Sequence, residues 1–159
     1  MTTVEIKSET GDYAAEFNLS DILMLVEPFA KGLVWYLVEF DPVQLLGADG
    51  TPNTVPPVWV SSLWHEVEKG ENRTKVDWQT LRAFARYVAQ SNMALLIALD
   101  PGENLPPEPL DLNSPEFAIV IQCLDAYMWA ITTQSTPLIQ AIKSKFKDAE
   151  VVEKTQRYH

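Results

Sequence analysis

Cysteine and histidine are scarce in this chain: Cys123, His65 and His159 are all there is among 159 residues. One thiol excludes an internal disulfide framework and fits a reducing compartment. A zinc centre draws three or four ligands from Cys, His or carboxylates. No Cys-x-x-Cys or His-Glu-x-x-His spacing occurs to supply them, and no Asp-x-Asp-x-Asp loop offers a calcium or magnesium site. Six glycines lie scattered at positions 11, 32, 47, 50, 70 and 102. They build neither a phosphate-binding loop nor a dinucleotide fingerprint, and Gly-x-Ser-x-Gly is absent. No cofactor or metal is therefore expected. Cys123 sits inside an apolar run, where a thiol keeps a high pKa and stays inert.

Long apolar runs are missing too. The longest candidate, LVWYLVEF, falls far short of the roughly 20 residues a membrane helix needs, so no membrane association is expected. The opening MTTVEIKSET lacks a positive start followed by an apolar stretch and does not read as a secretory leader. A cytoplasmic location is the expectation. Apolar residues make up 47%, an ordinary share for a chain that buries its own core, and the length suits one domain over 1–153 with a loose tail at 154–159.

Positive charge is also thin, and unevenly spread. The net charge is −10. Residues 1–68 hold 11 acids against Lys7 and Lys31, and residues 87–142 hold six acids and no base. Bases gather at 69–86 and 143–157. Such a field repels nucleic acid and anionic lipid and speeds encounter with a basic protein. It also serves solubility by itself.

The pattern along the chain predicts an α+β fold: a mixed β-sheet of about five to seven short strands with about four helices in a single layer on one face. Residues 3–7 and 12–18 read as strands joined by a turn at Gly11. Asn18 or Ser20 caps a helix with Asp21 in its first turn, interrupted or kinked at Pro28. Residues 33–40 read as a buried strand, and 41–57 as turn chemistry.

The stretch SSLWHEVEKGENR, 61–73, belongs to a helix from Pro57 to Gly70. Trp59, Leu63 and Val67 step by four, with Val60 and Trp64 beside them, while His65, Glu66 and Glu68 fall mostly on the wet side. On this spacing Trp59 is core, and Trp64, bordering the wet side, is the candidate exposed anchor. Residues 77–91 read as a helix capped by Asp77, with Trp78, Leu81, Phe84, Ala85 and Val88 inward. Arg82 and Arg86 repel at four-residue spacing, and an acidic neighbour within the fold is expected to relieve them.

MALLIAL, 93–99, is a second buried strand. Five prolines between 100 and 115 make a stiff surface connection. Residues 114–135 fit either a helix or a hairpin turning at Leu124-Asp125-Ala126, and the hairpin is the reading adopted. Thr136-Pro137 opens a helix with Lys143, Lys145 and Lys147 at its favourable end, and 149–153 forms a last strand. The two ends of the chain are expected to share the sheet.

Three functions of different class remain open on these residues. The first is an acidic, non-enzymatic module that binds another, basic protein, an inhibitor or immunity-type protein being one form. Its candidate contacts are Glu39, Asp41, Asp49, Trp64, His65, Glu66, Glu68, Asp100 and Glu103. The second is a small hydrolase or transferase using His65 and carboxylates in a cleft. The third is an accessory subunit that associates with itself.

Overall fold

The runs LLIAL and IVIQCL have apolar residues at consecutive positions, and a strand written this way must be covered on both faces. The structure, a computed structural model, shows how this is done. It describes residues 1–7, 17–52, 54–69, 73–126 and 128–152. In chain order these form β1 (Thr2–Lys7), α1 (Leu19–Ala30), β2 (Val34–Leu45), α2 (Val58–Glu68), β3 (Thr74–Val76), α3 (Trp78–Ala85), β4 (Val88–Leu99), β5 (Ile119–Leu124), β6 (Met128–Thr133), α4 (Thr136–Lys145) and β7 (Glu150–Val152). The strands make one seven-stranded sheet in the order β3-β2-β4-β5-β6-β1-β7.

The α+β class, the strand number and the four helices agree with the sequence reading. Every pairing is antiparallel, however, where a mixed sheet was expected. The ends of the chain do share the sheet, with β1 between β6 and β7.

Side chains alternate across the strands with period two. On one face Trp35, Leu37, Leu96, Ile121, Trp129 and Ile131 meet the apolar stripes of the helices, including Ile22 and Val26 of α1, Val60 of α2, Phe84 of α3 and Ile142 of α4. On the other face Tyr36, Val38, Leu95, Ile97, Leu99 and Val120 pack beneath Leu105 and Phe117, with Leu110 and Leu112 beside them. The proline-rich connection after β4 is therefore the second cover of the sheet. Arg73 Nη1 donates to the Leu105 carbonyl at 3.1 Å and Gln134 Nε2 to that of Pro115 at 3.2 Å, fixing the cover to the strands.

Local signals explain most element limits. Asn18 caps α1: its side chain accepts from the Asp21 amide at 3.1 Å, and the Asp21 carboxylate accepts from the Asn18 amide at 2.8 Å. α1 runs through Pro28 without restarting, and the proline stands exposed in its last turn. Gly32, at φ +82°, turns the chain toward β2.

Three stretches depart from the sequence reading. β2 runs on through Asp41-Pro42 to Leu45, absorbing these residues through register shifts against β4. Its outer neighbour β3, which the sequence reading missed, pairs only with Trp35, Tyr36 and Leu37. α3 ends at Ala85, and Val88 begins a strand, because Val88 pairs with Leu45. Its helix-like spacing from Leu81, Phe84 and Ala85 is outweighed by sheet pairing. The expected hairpin is present, with Asp125 and Ala126 left-handed at φ 51° and 63°. The strand expected over 12–18 falls mostly outside the described residues, and so does the tail at 154–159.

Candidate partner-binding surface

α2 is an amphipathic helix whose inward stripe is Val60, Leu63, Trp64 and Val67. Val60 and Val67 are seven residues apart, close to two full turns, and both are buried. That stripe rotates Trp59 outward by about 100° from Val60. Trp59 is 40% exposed, and its ring stands edge-on to Tyr87 with centroids 5.9 Å apart. Trp64 instead packs against the core and stacks on His65 at 5.1 Å and 17°. The roles expected for the two tryptophans are thus exchanged. Stepping by four from Trp59 selected one edge of the apolar arc, whereas the 60/63/64/67 spacing marks its centre.

His65 lies on the outer side, its side chain 57% exposed, with Nδ1 3.3 Å from Glu68 Oε2. Glu66 is exposed on the same helix. Acid–base chemistry at His65 would need further carboxylates gathered round it, and among the described residues its carboxylate partner is Glu68, itself exposed. Among the described residues no group of three or more His, Cys, Asp or Glu is placed to hold a metal ion.

Beyond Val38, the last residue of β2 under the proline-rich cover, Glu39 and Asp41 are exposed. Asn92 Nδ2 donates to Asp41 Oδ2 at 2.9 Å. The described loop residues, 46–52 and 54–57, then fold back on one another. Leu46 donates its amide to the Tyr87 carbonyl at 2.8 Å, Gly47 to Thr51 at 2.8 Å and Ala48 to Val55 at 3.3 Å. Asp49 organises the turn by accepting from the Thr54 hydroxyl and from the Thr51 amide and hydroxyl. These donors, that of Thr54 foremost, hold its carboxyl below the usual carboxylate range. The folded loop leaves Val55 and Val58 facing solvent, 82% and 81% exposed.

Asp100 and Glu103 lie elsewhere. Leu99 pairs with Val34 at the start of β2, and Met93 pairs with Asp41. Seven residues of strand, about 23 Å at ~3.3 Å per residue, separate the two places. The nine candidate residues therefore divide. Glu39, Asp41, Asp49, Trp64, His65, Glu66 and Glu68 belong to β2, α2 and the loop between them, while Asp100 and Glu103 belong to the far end of the sheet.

The bases are also placed by the fold. Arg82 is paired with Glu27 at 2.7 Å, the internal neighbour that the sequence reading expected. α1, which carries Glu27, packs against both α3 and α4. Lys143 and Lys145 are exposed on α4, over β6, three strands from β2. Three further exposed bases lie near the acidic elements: Lys69 at the end of α2, Lys75 on β3 opposite Tyr36 of β2, and Arg86 beside Tyr87. Among the described residues, Glu39, Asp41, Asp49, Glu66, Asp100 and Glu103 are in no ion pair.

None of the described helices is long and apolar enough to cross a membrane. Compared with family models, curated proteins and solved structures, the chain finds no match.

Proposed function

We propose that this protein binds a basic protein partner through the surface formed by α2, the outer half of β2 and the 46–57 loop. An inhibitor or immunity-type protein that covers a basic target is one form of this function. The observation that supports it is the set of exposed carboxylates on these elements, Glu66 on α2, Asp49 in the loop, and Glu39 and Asp41 on the sheet face opposite α2, none of which has a cationic partner among the described residues. Like charges left uncompensated repel one another, and a basic partner supplies the missing counter-charge. The same field steers the encounter and raises the association rate.

The test is kinetic. Basic proteins retained by the immobilised chain at low ionic strength are identified, purified and measured one by one for association rate. Raising salt from about 0.01 M to about 0.15 M shortens the Debye length from ~30 Å to ~8 Å. The association rate should fall steeply over that range, and Glu39→Lys with Glu66→Lys should lower it further. Binding that ignores both salt and these charge reversals overturns the proposal.

A further inference from the structure

We infer that Val55, Val58 and Trp59, backed by the Tyr87 ring, form the apolar anchor of this surface, and that its occupant is a basic protein segment carrying one apolar side chain between Lys or Arg residues. The inference rests on the binding function proposed above and names the point of contact.

Single exposed apolar residues are ordinary on protein surfaces. Met24 on α1, Val43 on β2 and Val151 on β7 are of this kind. Val55, Val58 and Trp59 differ because three exposed apolar residues fall within five positions of one another at the start of α2. This stretch is also braced. The Ala48–Val55 and Leu46–Tyr87 backbone hydrogen bonds hold the loop, and Tyr87 holds the Trp59 ring edge-on. A braced aromatic loses little freedom on binding, and tryptophan is over-represented among residues that dominate interface energy.

The charges around this stretch select the occupant. Asp49 follows Ala48, whose amide is bonded to the Val55 carbonyl, so a carboxylate held in the ionised form stands beside Val55. Glu66 lies seven residues after Trp59 on the same helix, about two turns and ~10 Å along its axis. Neither acid is in an ion pair among the described residues. An apolar group seated between them therefore needs cationic neighbours at both flanks. Two exposed cations in no ion pair among the described residues oppose a basic occupant: Arg86, next to Tyr87, and Lys69, three residues after Glu66 at the end of α2.

The experiment uses the full chain and a random peptide display library selected on it at low salt. The enriched peptides are synthesised, and their binding is measured by titration and by amide chemical-shift mapping. The expected peptides carry an aromatic or aliphatic residue flanked by Lys or Arg and shift the amides of Val55, Val58, Trp59 and Tyr87. Trp59→Ser should weaken them at least about tenfold. Val58→Ser, at a position whose side chain faces solvent, should weaken them as well and guards against a folding defect in the tryptophan variant. Glu66→Lys should weaken binding, and Arg86→Glu should strengthen it.

Basic peptides that bind in a salt-dependent way but map to Glu39 and Asp41 alone overturn the anchor and leave the acidic-surface function standing. Peptides with no excess of positive charge overturn both. Self-association of the chain in sedimentation, abolished by Trp59→Ser, makes a second copy the occupant and overturns the basic-segment assignment.

Discussion

Arg82 Nη1 on α3 lies 2.7 Å from Glu27 Oε1 on α1, and the same carboxylate oxygen accepts from Trp78 Nε1 at 3.4 Å. One acid thus ties two helices together and offsets the repulsion between Arg82 and Arg86. The hydrogen bond from Arg82, and after it that from Trp78, holds the Glu27 carboxyl below the usual range. A group whose pKa falls on folding adds stability that is complete above its unfolded value and is lost as pH drops through its folded one. Glu27→Gln should therefore lower the urea midpoint at neutral pH. Its difference from the unaltered chain should close as pH falls below about 4, where free carboxyls protonate. Midpoints measured across that range check this, and a difference independent of pH refutes it.

Gly47 is a place where no side chain fits. A Cβ there would lie 1.5 Å from Thr54 Oγ1 and 2.6 Å from the Thr54 carbonyl carbon. Backbone cannot yield as a side chain can, so Gly47→Ala should open the 46–57 loop. The cost expected is that of an overpacked site, roughly 1–3 kcal/mol. Amide exchange should quicken at Gly50 and Thr51 while the β4–β5 strands stay protected. Unchanged exchange in the loop counts against this account.

The hairpin between β5 and β6 has two consecutive non-glycine residues in the left-handed region, Asp125 and Ala126. Asp125 is exposed, so replacing it removes no packing, whereas Ala126 is buried and its amide donates to the Asn92 carbonyl at 3.0 Å. Glycine adopts this conformation without the Cβ clash. Asp125→Gly should stabilise the fold by about 0.5 kcal/mol, net of the extra freedom glycine gives the unfolded chain. Ala126→Gly should gain less, because a buried methyl group is worth roughly 0.8 kcal/mol. Thermal midpoints of the two variants, ranked against each other, decide the point.

Cys123 is buried, and burial foremost pushes its thiol up to about 12. Its Sγ donates to the Ser91 carbonyl at 3.4 Å. A thiol disulfide reagent should react negligibly with the folded chain near neutral pH and at full rate in denaturant. The native rate should follow the fraction of chain that opens. Fast labelling of the folded protein would show that the thiol is reachable.

Much of this architecture can be traced to short-range signals. Asn18 with Asp21, Asp77, and Ser135 before Pro137 mark helix starts, because a capping side chain answers backbone amides only a few residues away. The hairpin around Asp125 was visible in its β-branched and aromatic flanks. The ends of elements were harder to see. α3 stops at Ala85 and β2 continues past Pro42 because each answers to a partner strand distant in sequence. β3 is only three residues long and exists through its pairing with β2. The candidate acids are all exposed, but Asp100 and Glu103, grouped with the others by the sequence reading, lie at the other end of the sheet. Tyr87 and Val58 were missed, since nothing local distinguishes an exposed valine at a helix start from a buried one.

Composition and spacing determined an acid excess, a single thiol within an apolar run and an internal histidine without a metal-binding pattern around it. Periodicity determined the class of fold, because a buried face must repeat at two residues in a strand and near 3.6 in a helix. Only tertiary structure decided that Trp59 turns outward and Trp64 inward. The sequence permits an apolar arc wider than the contact α2 makes with the sheet, and the packing partner chooses which edge of that arc stays in water.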